Sequence, residues 1–165
     1  MLRILLFTLL LYPLSVFGQL HSTFLSIEGG GTGMIASINI GKTLFVHSRY
    51  KIIFQSGLGW SPKINSKNSP FNIPCQLTCN FGNRNSFFEA GLGVSLLIRK
   101  ETEKSGKNFR HRDLYLTPIV GIRHETERWF ARVYLSPFFN ATGKSLYDEI
   151  TSTILSFGIA IGLVL

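Results

Sequence analysis

Nowhere does the chain hold an apolar stretch of the ~20 residues that a bilayer-crossing helix requires. The run at residues 4–11 is too short, and the apolar end at 154–165 carries Gly158 and Gly162, which disfavour a helix and suit a curved strand. Cysteine is nearly absent too. Cys75 and Cys79 lie ~13 Å apart in extended chain, beyond disulfide reach. No metal ligands cluster near them, so they read as small apolar residues, and neither a metal nor a cofactor is expected. Charge is scarce: 16% of residues are charged and the mean hydropathy is +0.21, which is apolar for a single domain of 165 residues. Acids are scarcest, with 9 Asp and Glu against 17 Lys and Arg.

Residues 1–18 have a basic start at Arg3, an apolar run and small residues at Val16 and Gly18, the layout of a secretory signal peptide. The mature domain is therefore expected at 19–165. For an exported protein the surplus of cations points to anionic lipid or lipopolysaccharide phosphate as partner, and not to nucleic acid.

What the sequence has in abundance is alternation. In residues 86–99, Phe88, Ala90, Leu92, Val94, Leu96 and Ile98 form one row, while Phe87, Glu89, Gly91, Gly93, Ser95, Leu97 and Arg99 form the other. Successive strand side chains point to opposite faces. The pattern recurs to give strands near 23–29, 34–45, 51–60, 71–81, 86–99, 114–125, 128–139 and 154–165. Eight strands of ~10 residues match the length of tilted membrane strands. Connections after the second, fourth and sixth strands are short; those after the third, fifth and seventh are long. Such barrels have short periplasmic turns and long outer loops. The exception is the first outer connection, residues 29–33, which reads as a flexible glycine turn. Pro118 lies inside the sixth strand, where a proline removes a ladder donor, and a local bulge is expected there.

A soluble barrel also alternates, with its apolar row inside. Here the polar row decides, because it holds Gly57, Gly59, Gly91, Gly93, Gly121, Gly158, Ala160 and Gly162, small residues suited to a crowded narrow interior. The fold class is therefore all-β: an eight-stranded antiparallel up-and-down transmembrane barrel with aliphatic rows outward. Trp60, Phe81, Phe88, Trp129 and Phe139 cap those rows, where aromatic girdles belong. An eight-stranded interior is just wide enough for its own side chains. Glu28, Lys51, Glu89, Arg99, Arg123, Glu125 and Arg132, with Gln76, Tyr115 and Tyr134, are expected to fill it as a paired network, since buried charges need partners.

The segments FLSIEGGG, FFEAGLGVSLL, LYLTPIVGIRHE, RWFARVYLSPFF and SFGIAIGLVL resemble the small eight-stranded outer-membrane β-barrels of Gram-negative bacteria, of OmpA/OmpX type. The resemblance covers the whole mature chain and implies an outer-membrane location, monomeric state and handling by the barrel insertion machinery. Members usually end in an aromatic residue, whereas this chain ends in Leu165.

Chemistry is harder to find. Residues 36–43 fit a loose phosphate-loop pattern but continue a strand with no helix following, so the pattern is set aside. His21, His47, His111 and His124 lack a converging nucleophile, orienting acid and oxyanion donor. The charged loop at 100–113 carries Lys100, Lys104, Lys107, Arg110 and Arg112, a solvated outer patch able to meet lipopolysaccharide phosphate. The expected function is non-enzymatic, structural or surface-contact. A narrow channel and a rim-located lipid-modifying enzyme are the alternatives.

Overall fold

A strand that alternates aliphatic and small or polar residues buries one row only, and eight in succession can satisfy every backbone group by closing on themselves. The computed structural model describes residues 22–60, 71–102, 108–141 and 153–165. The expected leader, His21, Lys104 and Lys107 lie outside the described residues, as do the side chains of Arg99, Lys100, Arg110 and His111. The strands are β1 (Thr23–Gly30), β2 (Ala36–Val46), β3 (Tyr50–Trp60), β4 (Phe71–Asn83), β5 (Ser86–Thr102), β6 (Asn108–Glu125), β7 (Trp129–Asn140) and β8 (Thr153–Val164). Each pairs antiparallel with its sequence neighbours, and β1 closes the barrel on β8 from Phe24↔Val164 to Gly30↔Gly158.

Sidedness follows the small-residue row. Leu92, Leu135 and Ile159 are 52%, 49% and 53% exposed, whereas Glu28, Glu89 and Arg132 are at most 1% exposed. Gly93 and Gly158 face inward. Trp60, Phe71 and Phe139 ring the end that carries the long loops; Phe45, Phe81, Phe88 and Trp129 ring the end that carries the short turns.

Three local expectations are corrected. The glycine turn is no loose connection: Gly31–Gly33 form a 3-10 turn whose three residues are all buried. Gly30 and Gly31 have φ of 70° and 58°, left-handed values at which a Cβ is strained, and a Cβ on Gly31 would also overlap the Tyr134 hydroxyl. The charged loop at 100–113 is shorter than expected. β5 and β6 stay paired from Ile98↔Arg112 to Thr102↔Asn108, past the last described rungs of β4 at Phe71↔Ile98 and of β7 at Tyr115↔Asn140. This two-stranded ribbon therefore runs on beyond the last described rungs of its neighbours. Finally, Pro118 causes no bulge. The register is the same on both sides of it, and among the described residues the register shifts at Thr43/Phe45 in β2.

Candidate functional site: a side-chain-filled lumen

Inward-facing side chains from β1, β4, β5 and β7 converge on Arg132. Its guanidinium donates to Glu89 Oε1 at 2.8 Å, Glu28 Oε2 at 2.7 Å and Gln76 Oε1 at 2.8 Å. It also lies over the Tyr134 ring, 4.5 Å from the centroid. One cation between two carboxylates, hydrogen-bonded on several sides, is the geometry that burial of charge demands.

The inward turn packs onto this cluster from the loop end. The Thr32 N–H donates to Tyr134 Oη at 3.0 Å, and the Gly33 N–H to Glu28 Oε1 at 3.0 Å. The Thr32 carbonyl accepts from Asn72 Nδ2 and Ser95 Oγ, both at 2.9 Å, and Gln76 Nε2 donates to Thr32 Oγ1. Thr32 is thus fully buried inside the barrel, and the turn fills the lumen beside the Arg132 cluster. Glycine richness at 29–33 was legible in the sequence; the inward fold was not, because it depends on a tyrosine more than a hundred positions later.

A second network lies toward the turn end. Glu125 Oε2 accepts from Lys51 Nζ and from Arg123 Nε, the latter at 2.9 Å. The Arg123 guanidinium stacks 3.6 Å from the Phe130 ring centroid, and Lys51 Nζ sits 4.1 Å over Phe87. Phe130 meets Phe24 edge-on at 4.9 Å beside buried Ile53. An open mouth of about 610 Å³, lined in part by Arg84, Arg128 and Trp129, reaches down to the Lys51–Glu125 pair.

Of the residues expected in the lumen, Glu28, Gln76, Glu89, Arg132 and Tyr134 meet in the first network and Lys51, Arg123 and Glu125 in the second. Tyr115 faces inward but packs edge-on against Phe138 at 5.9 Å, in an apolar cluster with Leu97 and partly buried Met34. Leu97 and Tyr115 belong to rows expected inside, whereas Ile53, Phe130 and Phe138 were not named for the lumen; parity was the available signal, since Ile53 shares a row with Lys51 and Gln55. In the basic patch, Arg112 is the one residue whose side chain is described, and it is exposed. Ser86 Oγ lies 3.1 Å from His124 Nδ1 at the exposed turn end. Among the described residues no carboxylate is recorded against that histidine, and no group of metal ligands occurs.

A closed barrel that is aliphatic outside and carries paired charges and glycines inside is the architecture of membrane-spanning β-barrels. The chain has the fold of the small eight-stranded outer-membrane barrels of OmpA/OmpX type. It is similar to the N-terminal barrel domain of Pseudomonas aeruginosa OprF, with a TM-score of 0.54 and 13% identity over 87% of this chain and 97% of that one. The Yersinia pestis outer-membrane protein Ail gives 0.54 and 10% identity over 88% and 100%. Neisserial surface protein A gives 0.51 and 11% identity over 88% and 94%. No family model and no curated protein matches the sequence.

Proposed function

We propose that the chain is an exported, non-enzymatic protein of the Gram-negative outer membrane with a structural or surface-contact role. The observation that carries this reading is the filled lumen. Arg132, clamped by Glu28, Glu89 and Gln76 beneath the Thr32 turn, occupies the interior that a channel would need. What remains for contact is the aliphatic belt, which suits lipid, and the loop end, where the β5–β6 ribbon runs on beyond its neighbours. In this reading the ribbon and its loop present Lys100, Lys104, Lys107, Arg110 and Arg112 to lipopolysaccharide phosphate, a charge-assisted contact. The protein acts as a monomer, delivered by the barrel insertion machinery.

The test is made on the full chain. Fractionation places it in the outer membrane, and a folded barrel migrates differently on a gel before and after boiling. Reconstituted in planar bilayers, the wild type conducts no current above background, and in vesicles it prefers lipopolysaccharide over neutral phospholipid. Charge reversal at the five cations abolishes that preference. Steady single-channel currents from the wild type would overturn the surface-contact reading in favour of a narrow channel.

A further inference from the structure

The charges of the two lumen networks cancel, but they are not evenly placed. Around Arg132 two carboxylates, Glu28 and Glu89, answer one guanidinium. Toward the turn end the balance is reversed: Lys51 and Arg123 share a single carboxylate, and both meet the same oxygen, Glu125 Oε2. The two networks together are therefore polarised, with acid in surplus around Arg132 and cation in surplus where the open mouth reaches in. Lys51 is 8% and Arg123 1% exposed, so water does little to offset that surplus. A fixed positive field at the foot of a cleft with low-dielectric walls draws anions to it.

The rim repeats the sign. The mouth of about 610 Å³ shares Lys51, Arg84, Phe87 and Glu125 with an adjoining recess of about 290 Å³. Exposed Arg49, Arg84 and Arg128 line the two openings, against Glu127 as the rim's acid among the described residues. Arg84 is held there against its backbone preference. It is the first of the two residues between the paired Asn83 and Ser86, and its φ is 59°, a left-handed value that such hairpin turns ordinarily give to glycine or asparagine. Strained positions of this kind cluster at ligand clamps.

The surplus selects an anion, and the arrangement of the cations selects its shape. A carboxylate offers two oxygens in one plane, whereas a phosphate carries its oxygens around a centre and can be met from floor and rim together. We propose that the turn-end mouth binds a phosphate group, with Lys51 at its floor and Arg84 and Arg128 at its rim. The group arrives either dissolved or on a phospholipid of the inner leaflet, whose headgroups lie level with the short turns and the girdle of Phe45, Phe81, Phe88 and Trp129. This site goes beyond the surface-contact role, which concerns the opposite end of the barrel.

The test uses the full chain, labelled with nitrogen-15, folded in uncharged detergent micelles and titrated with inorganic phosphate at constant ionic strength. Saturable shifts are expected at the amides of Arg84, Asn85, Thr126 and Arg128, and none at Trp60 or Asn140 of the loop end. Acetate in place of phosphate binds more weakly. Arg84→Gly, which the left-handed turn accepts without strain, and Arg128→Gln each weaken phosphate roughly tenfold, the worth of one charge-assisted hydrogen bond; Lys51→Met does so at the floor. Unchanged β5 amides show that each variant barrel is intact. Bicelles of phosphatidylglycerol separate the two sources. If the headgroup fills the mouth, the same amides are displaced before any phosphate is added and then move no further; if dissolved phosphate is the ligand, they titrate as in micelles. Shifts that grow without saturating, acetate as effective as phosphate, or R84G and R128Q proteins that titrate like the wild type each overturn the phosphate site while leaving the outer-membrane reading intact.

Discussion

Replacing Arg132 by methionine keeps most of the side chain's volume and removes its charge. Glu28 and Glu89, both 0% exposed, then lose the cation that holds them, at 2.7 and 2.8 Å respectively. Removing one partner of a buried ion pair costs ~3–5 kcal/mol, because the remaining charge is left uncompensated. Two stranded carboxylates, and the lost stacking on Tyr134, put R132M at the upper end of that range. With a urea slope of roughly 2 kcal/mol per molar, the unfolding midpoint falls by about 2 M or more. The assay is urea titration in detergent micelles followed by tryptophan fluorescence, with Trp60 and Trp129 at opposite ends of the barrel as reporters. The control is Arg112→Ala on the exposed ribbon, where substitutions stay within ~0.5 kcal/mol. The triple variant E28Q/E89Q/R132M removes all three charges and recovers most of the loss, since exchanging a whole buried ionic group for neutral residues is often close to neutral. Equal midpoints for R132M and R112A would refute the claim that the central clamp holds the barrel together. A triple variant no better than R132M would refute stranded charge as the cause.

Three further outcomes use the same barrel. Lys51→Met lowers the midpoint by clearly less than R132M, since the Lys51 and Glu125 side chains are 10% and 17% exposed and water shares the work of solvation. Leu92→Arg, on the belt near the middle of β5, destabilises by ~2–4 kcal/mol as a cation at mid-membrane does; an unchanged midpoint would mean that this face is not in lipid. Gly31→Val drives a side chain into Tyr134 and expels the inward turn, so hydrogen–deuterium exchange at the Thr32 and Gly33 amides speeds up while that of β5 does not. Unchanged protection would show that the turn is held otherwise.

Sidedness was legible because it needs only parity and residue size: Gly91 and Gly93 on one row and Leu92 and Val94 on the other say which face is crowded. Strand order followed from loop lengths. The ribbon was missed because hydrophobic alternation stops at Ile98, whereas backbone pairing continues to Thr102 with no side-chain pattern to announce it. Pro118 was visible as a fault in β6, but its consequence was not. A bulge and a stretch of missing rungs look alike from one strand, and only the register of β6 against β7, which sets Pro137 opposite Pro118 without a shift, distinguishes them. The members of the lumen network could be named from parity, whereas their division into two groups depends on distances along the barrel axis that no sequence window contains.

Thr32 is bonded to residues of β4, β5 and β7, and its neighbour Gly33 to one in β1. No hairpin or half-sheet assembled from either end of the chain offers all of these partners. The turn can lock only after the cylinder has closed, so it is a final step of maturation: an intermediate with β1 and β8 still apart has an untethered loop, and the finished molecule resists reopening because separating those strands means pulling the loop off β4, β5 and β7 as well.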